Sequence, residues 1–397
     1  MKNFNYFKGK SIWVSLLPVF IALYLLFSMI SISISQIFIS LSLIFWIIML
    51  IREKQKFTFP SFFWPIIAYI ILSLVSSFLS VNPKLSLKDS RELLLFLIIP
   101  IVYTGFHEEK ALKRANLALL ASAYVSCSYS IYYFFVKSPG PSYHVPGFMG
   151  QVMTQGGLLM FFSCMALSMI LFSKAKIKYL WGLGLLLSVF ALILAQTRNA
   201  WVGLVIAMSL ILLIYRPITL IFIPIMIGLF YIASPQWIKN RALSIFKPKD
   251  STNTQRIEFL RAGIKIIRDY PIFGTGPDTV EIVFQNPKYG LSEEAKKNVH
   301  LHNNILQTGA ERGIPTLLAW LTFMVLAFIN LLKLLKNKDP ALRTLTVAAL
   351  AAILGLNVAG LFEYNFADAE ITMLFLYMIT IPFALARILE KTEPQPA

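Results

Sequence analysis

Apolar runs of about 17 or more residues recur along almost the whole chain, each long enough to cross the hydrocarbon core of a bilayer. Of 397 residues, 57 % are hydrophobic and only 14 % charged, where a soluble domain carries about 25 % charged residues. The fold class expected is therefore an all-α polytopic membrane protein. Twelve spans are expected, at about 12–30, 33–51, 62–81, 93–106, 115–136, 154–173, 180–196, 200–215, 217–234, 315–335, 344–362 and 370–388. The fourth is short, and the eighth and ninth nearly touch at Arg216-Pro217. These spans divide the chain into 1–234 with nine helices, 235–314 outside the membrane, and 315–397 with three more helices and a tail.

The formal net charge of +17 could suggest a nucleic-acid partner, so the positions of the charges matter. With the N-terminus in the cytoplasm, Lys2, Lys8, Lys10, Arg52, Lys54, Lys56, Lys110, Lys113 and Arg114 all fall inside. So do Lys174, Lys176, Lys178, Lys333, Lys336, Lys338, Arg343, Arg387 and Lys391. The opposite short loops hold Lys84, Lys88, Arg91, Lys137 and Arg198. Positive charge resists translocation; both termini are expected in the cytoplasm, and the basic balance reflects topology, with no nucleic acid. Cys127 and Cys164 fall in apolar segments and read as packing residues. The first apolar run lacks a small-residue cleavage site and reads as a retained span.

Segment 235–314 breaks the rhythm, because it holds no spanning run. Within it, "RIEFLRAGIKIIRDYPIFGTG" places Ile257, Leu260, Ile264 and Ile267 on one helical face, with Arg261, Lys265 and Arg268 on another. An amphipathic helix on or near the membrane surface is expected there, ended by Asp269, Pro271, Gly274 and Gly276. The tail "EKTEPQPA" is expected to be disordered.

Charged groups are costly near a membrane, so their placement is informative. Carboxylates are almost absent from the expected spans, with Glu363 and Glu370 at their edges. That argues against an ion-coupled transporter. No D-x-D pair, P-loop or G-x-S-x-G occurs, which argues against a metal-held nucleotide sugar and a serine hydrolase. Three polar stretches remain, all outward in this topology: "TRNAWVGL" with Arg198, "NTQRIEFLRAG" with Arg256, and "HLHNNILQTGAERGIP" with His302 and Arg312. Each has a plain reading alone: a headgroup contact, a solvated surface charge, an idle histidine. Together they suit a diphosphate lipid. Guanidiniums stay charged and donate forked hydrogen bonds to phosphate oxygens, and a neutral imidazole can accept a hydroxyl proton. A diphosphate leaving group so held needs no metal.

The third stretch reads His302-Asn303, nine residues, Gly313, two residues, Thr316. That resembles the H-[NSQ]-x9-G-x2-[GTY] signature of lipopolysaccharide O-antigen ligases. The wider frame, roughly residues 140–370, resembles the domain shared by O-antigen ligases, O-antigen polymerases and bacterial O-linked oligosaccharyltransferases. The resemblance implies a GT-C-like arrangement in the Gram-negative inner membrane, with its active site at the periplasmic face. It implies metal-independent, inverting transfer without a cofactor, from an undecaprenyl-diphosphate-linked polysaccharide donor to a sugar of the lipid A-core acceptor. Carried over by position, Arg198 and Arg256 match the arginines that hold the donor diphosphate, and His302 matches the essential histidine, as general base. Asn303 and Gly313 belong to the signature, Gly313 shaping the turn into the next span; Glu311 and Arg312 are added by proximity. His300 stands two residues earlier, and register favours His302. Loop 146–157, with Gln151 and Met153, departs from relatives that carry an Asn-Pro-like turn, so no role is assigned there. A polymerase, an O-linked oligosaccharyltransferase, or a lipid-linked glycan transporter of a different class are the alternatives.

Overall fold

The computed structural model describes residues 12–54, 56–247 and 251–392. Lys2, Lys8, Lys10 and the tail from residue 393 lie outside the described residues. Helices form where the apolar runs stand. In order they are α1 Ile12–Phe27, α2 Ile32–Arg52, α3 Trp64–Phe78, α4 Pro83–Asp89, α5 Ile98–Gly105, α6 Glu109–Tyr132, α7 Val152–Phe172 and α8 Lys178–Ala195. Then come α9 Arg198–Tyr215, α10 Phe222–Ala233, α11 Gln236–Leu243, α12 Ser251–Asp269, α13 Val280–Phe284, α14 Asn304–Leu334, α15 Pro340–Ala359 and α16 Ala369–Thr392. Among the described residues there is no strand.

Nine of the described helices are long and apolar enough to span a bilayer: α2, α3 with its leading turn, α6, α7, α8, α9, α14, α15 and α16. Two more, Ile12–Phe27 and Pro217–Ala233, are apolar but shorter. The fourth expected span is not one helix. A 3-10 stretch, Ser90–Leu97, leads into the eight-residue α5, which is almost wholly buried. Pro100 has no N–H to give the Phe96 carbonyl, and the α-helical part that contains it is only eight residues, too short to cross a bilayer. Helix α7, α15 and α16 are buried over 72 %, 72 % and 83 % of their apolar windows, against 28 % for α2 and α14; the first three form the centre and the last two the lipid-facing rim. Close approach at the centre depends on small residues. A Cβ at Gly203 of α9 would meet the Met160 Sδ of α7 at 2.7 Å and the Gly355 carbonyl of α15 at 2.9 Å.

Between α10 and α14 the chain folds as a helical cap with its own core, in which Phe259, Ala262 and Ile266 of α12 pack with Val280, Phe284 and Leu301. The stripe of Ile257, Leu260 and Ile264, the face expected at the membrane surface, stays largely outside that core, at 46 %, 47 % and 41 % accessible. The helix carries two interleaved apolar stripes, and the stripe with Phe259 is the one that meets the cap core.

Helix α14 has 31 residues, roughly 46 Å at 1.5 Å per residue. It exceeds a hydrocarbon core of about 30 Å, and it begins ten residues before the expected boundary at 314. Gly313 breaks it, with φ 80° and ψ 168°. Pro315 has no N–H to give the Glu311 carbonyl, and the Ile314 amide turns away to the Pro271 carbonyl at 2.8 Å. The glycine loop after α12 supplies the missing donors: Thr275 N–H donates to the Ala310 carbonyl at 2.9 Å and Gly276 N–H to Glu311 at 2.8 Å. Any Cβ on Gly313 would sit 2.0 Å from the Ile272 carbonyl oxygen. The signature glycine is thus where the cap docks on a broken helix.

Candidate active site

His300 and His302 lie just before α14, and Leu301 between them is 1 % exposed. Leu301 is anchored in the cap core, and the two imidazoles on either side of it reach the same carboxylate. The loop after α15 is tied to the start of α14. Asn304 N–H donates to the Gly360 carbonyl at 2.8 Å, Asn303 Nδ2 to the Leu361 carbonyl at 3.0 Å, and Asn304 Nδ2 to Asn365 Oδ1 at 2.8 Å. The Asn303 side chain also caps α14, accepting from the Ile305 and Leu306 amides. Asn303 therefore holds the frame.

That frame delivers Glu363 to both histidines. His300 Nε2 lies 2.8 Å from Glu363 Oε1; His302 Nδ1 lies 3.0 Å from Oε1 and 3.1 Å from Oε2. The two ring centroids are 4.3 Å apart. Burial alone would raise the Glu363 carboxyl, but hydrogen bonds from His300 and His302 hold it well below the usual carboxylate range. His302 has φ +49°, an uncommon conformation for a non-glycine residue and one that clusters at functional sites. Its ring packs on Phe259 at 5.4 Å, and its Nε2 is 3.3 Å from Asn298 Oδ1.

The arginines approach from two sides. Arg256 lies one turn before Phe259 on α12, with its guanidinium 5.8 Å from the centre of the Phe362 ring, next to Glu363. Arg198 opens α9 and is 5 % exposed; its Nη1 donates to the Ser244 carbonyl at 3.1 Å and hydroxyl at 2.9 Å. The same Ser244 carbonyl takes Asn253 Nδ2 at 3.2 Å, and Asn253 precedes Arg256 by one turn. Ser244 thus links the two arginine neighbourhoods. Arg241 of α11 joins them, donating from Nε to the Gln196 carbonyl at 3.0 Å. Burial, then Arg241 and Arg198, push the His144 imidazole below its usual value. Arg241 and His144 were not legible as site residues, since each stands alone in the sequence without a motif.

Glu311 and Arg312 go elsewhere. They line a cavity of about 270 Å³ with His300, Gln151, Asp89, Glu92, Asp278 and Asp368. Arg312 pairs with Glu311 at 3.0 Å and Asp89 at 3.4 Å. Already neutralised, it is a poor diphosphate ligand. The departing loop 146–157 contributes Gln151 here. Ligand atoms of His300, His302 and Glu363 lie within 4.8 Å of one another, and two imidazoles with a carboxylate are a donor set that suits Zn²⁺.

Residues 183–321 match the family model described as O-Antigen ligase. The chain carries an O-antigen ligase superfamily domain. The match runs from α8 to the middle of α14 and takes in Arg198, Arg256 and His302, while Glu363 and Asp368 lie beyond it. No curated protein matches the chain. The superfamily and the apolar helices together indicate a multi-pass membrane protein with a glycosyltransferase-like activity on polysaccharide substrates.

Proposed function

We propose that this chain is an O-antigen ligase, transferring polysaccharide from undecaprenyl diphosphate to a sugar hydroxyl of lipid A-core at the periplasmic face of the inner membrane. The observation that carries the reading is the imidazole pair fixed on buried Glu363, with the guanidinium of Arg256 over the ring of the preceding residue, Phe362. Arg198 and Arg256 hold the donor diphosphate. The acceptor hydroxyl oxygen attacks the anomeric carbon as the carbon–oxygen bond to phosphate breaks, and the diphosphate leaves with the electron pair. Attack opposite the leaving group inverts the anomeric centre.

The hydroxyl proton passes to His302. Nδ1–H of His302 donates to Glu363, which leaves the lone pair on Nε2 and stabilises the imidazolium that forms. Asn298 Oδ1, 3.3 Å from Nε2, is itself an acceptor, so in this tautomer the Nε2 lone pair is left for an incoming hydroxyl donor. Glu363 is a positioning residue in this scheme. The negative charge that grows on the leaving group is met by arginines, without a metal.

The test is a deletion strain examined by lipopolysaccharide gel. Loss of a ligase leaves bare core and accumulates lipid-linked polymer. Loss of a polymerase leaves core capped by a single repeat, which would refute the ligase reading in favour of that relative.

A further inference from the structure

The cavity beside His300 has the wrong charge for a diphosphate. Its wall carries Asp89, Glu92, Asp278, Glu311 and Asp368 against the single guanidinium of Arg312. A phosphate entering it would meet like charge from several sides. The volume of about 270 Å³ falls just under the roughly 300–1,000 Å³ of small-molecule sites, room for one ring rather than a chain.

A second observation points to what enters. Arg312 is 7 % exposed, and its Nε has no hydrogen-bond partner among the described residues. Its other nitrogens are engaged by Glu311 and Asp89. That guanidinium is already engaged, and its Nε is walled off by protein atoms. The carboxylates around it call for donors. Tyr69, Phe96, Tyr364 and Phe366 add aromatic surface. Hydroxyl groups both donate and accept, and the C–H face of a pyranose lies well on aromatic rings.

We propose that this cavity is the acceptor subsite, holding one uncharged or amine-bearing sugar ring and excluding phosphorylated or acidic sugars. The proposal rests on the transferase reading above and names the acceptor class for that site. His300 lies in the cavity wall, and through the shared Glu363 it is coupled to His302, so a sugar held there sits one imidazole away from the base. The diphosphate stays on the Arg198 and Arg256 side. The two substrates are thus sorted by charge on either side of the histidines. Burial pushes Glu92 and Asp368 up to about 7; near neutrality each can offer a proton to a sugar oxygen as well as accept one.

The purified full chain in nanodiscs tests this by saturation-transfer difference NMR, with methyl β-D-glucopyranoside, glucosamine and glucose 6-phosphate as probes. Signals are expected for the first two and not for the third, and they should fall in Asp278→Asn and Asp368→Asn. Asp278 has φ +59°, a conformation that asparagine tolerates, so the first variant keeps its backbone. Kinetically, each variant should raise the acceptor KM about tenfold, the loss of one hydrogen bond of roughly 1.4 kcal/mol, with the donor KM unchanged. Equal signals from glucose 6-phosphate would overturn the proposal. So would displacement of the sugars by Ca²⁺ alone, which would mark a cation site, or a rise in donor KM instead of acceptor KM. A wild-type chain that binds the sugars but transfers nothing would count against the transferase reading and leave the sugar subsite standing.

Discussion

Replacing Glu363 by glutamine probes the element that organises the histidines. The carboxylate is 5 % exposed on its side chain, so solvent does little to screen it. It receives hydrogen bonds from both imidazoles at 2.8 to 3.1 Å. Glutamine keeps the shape and loses the charge. One of its two ends becomes a donor, and an amide N–H facing His302 Nδ1 would force the ring proton onto Nε2, the nitrogen that must take the hydroxyl proton. The loss of one charge-assisted bond to the developing imidazolium is worth about 2–4 kcal/mol, which corresponds to roughly 30- to 1,000-fold in kcat at 1.36 kcal/mol per decade. The assay is transfer from purified lipid-linked donor to lipid A-core by the chain in liposomes, with both KM values and kcat measured. The kcat of Glu363→Gln should fall by that amount with both KM values within threefold, and Glu363→Asp should recover part of it. A stable Glu363→Gln chain with wild-type kcat would remove Glu363 from the mechanism.

Gly313→Ala puts a methyl group 2.0 Å from the Ile272 carbonyl at φ 80°; a loss of about 1–3 kcal/mol from strain, read as a lower Tm in detergent, is expected, and an unchanged Tm would contradict the docking described. Asp368 and Glu92 have folded-state values of about 7, above their ordinary ones, so the unfolded chain loses these protons first; Tm should decline as pH rises from about 4 to 7 and then level, and Asp368→Asn should flatten the decline. Glu363 works in the opposite sense, since its carboxyl is held down in the fold: its contribution is present above the ordinary carboxylate range and is lost as pH falls, so Glu363→Gln should lessen the acid-side loss of stability. Removing metals with EDTA should leave transfer unchanged. Loss of activity restored by Zn²⁺ would instead make His300, His302 and Glu363 a metal site.

The helical membrane architecture was legible because a span must be long, apolar and self-paired, and that pattern survives without tertiary knowledge. The short α5 run was harder: its apolar residues are shared between the end of a 3-10 stretch and a buried eight-residue helix, and composition does not mark the boundary. The second apolar stripe of α12, with Phe259, was not legible, because the two apolar stripes have the same period and only the partner, the core around Phe284 and Leu301, picks out the one that packs inward. At the site, His302 stood out through a spaced signature. Glu363 did not, since it lies 61 residues from His302 and in the sequence is only a carboxylate at a span edge. The acidic cavity was invisible for the same reason: its carboxylates come from four separate parts of the chain, each unremarkable alone.

The central claim is that His302 accepts the acceptor's proton while Arg198 and Arg256 hold the leaving diphosphate. Purified wild-type chain and the His302→Ala, Arg198→Ala and Arg256→Ala variants, matched for folded protein, should be given undecaprenyl-diphosphate-linked glycan and lipid A-core, with product and donor KM followed. The mechanism requires capped core from the wild type, none from His302→Ala with donor binding retained, and weakened donor binding in both arginine variants. Capped core at the wild-type rate from His302→Ala would contradict it.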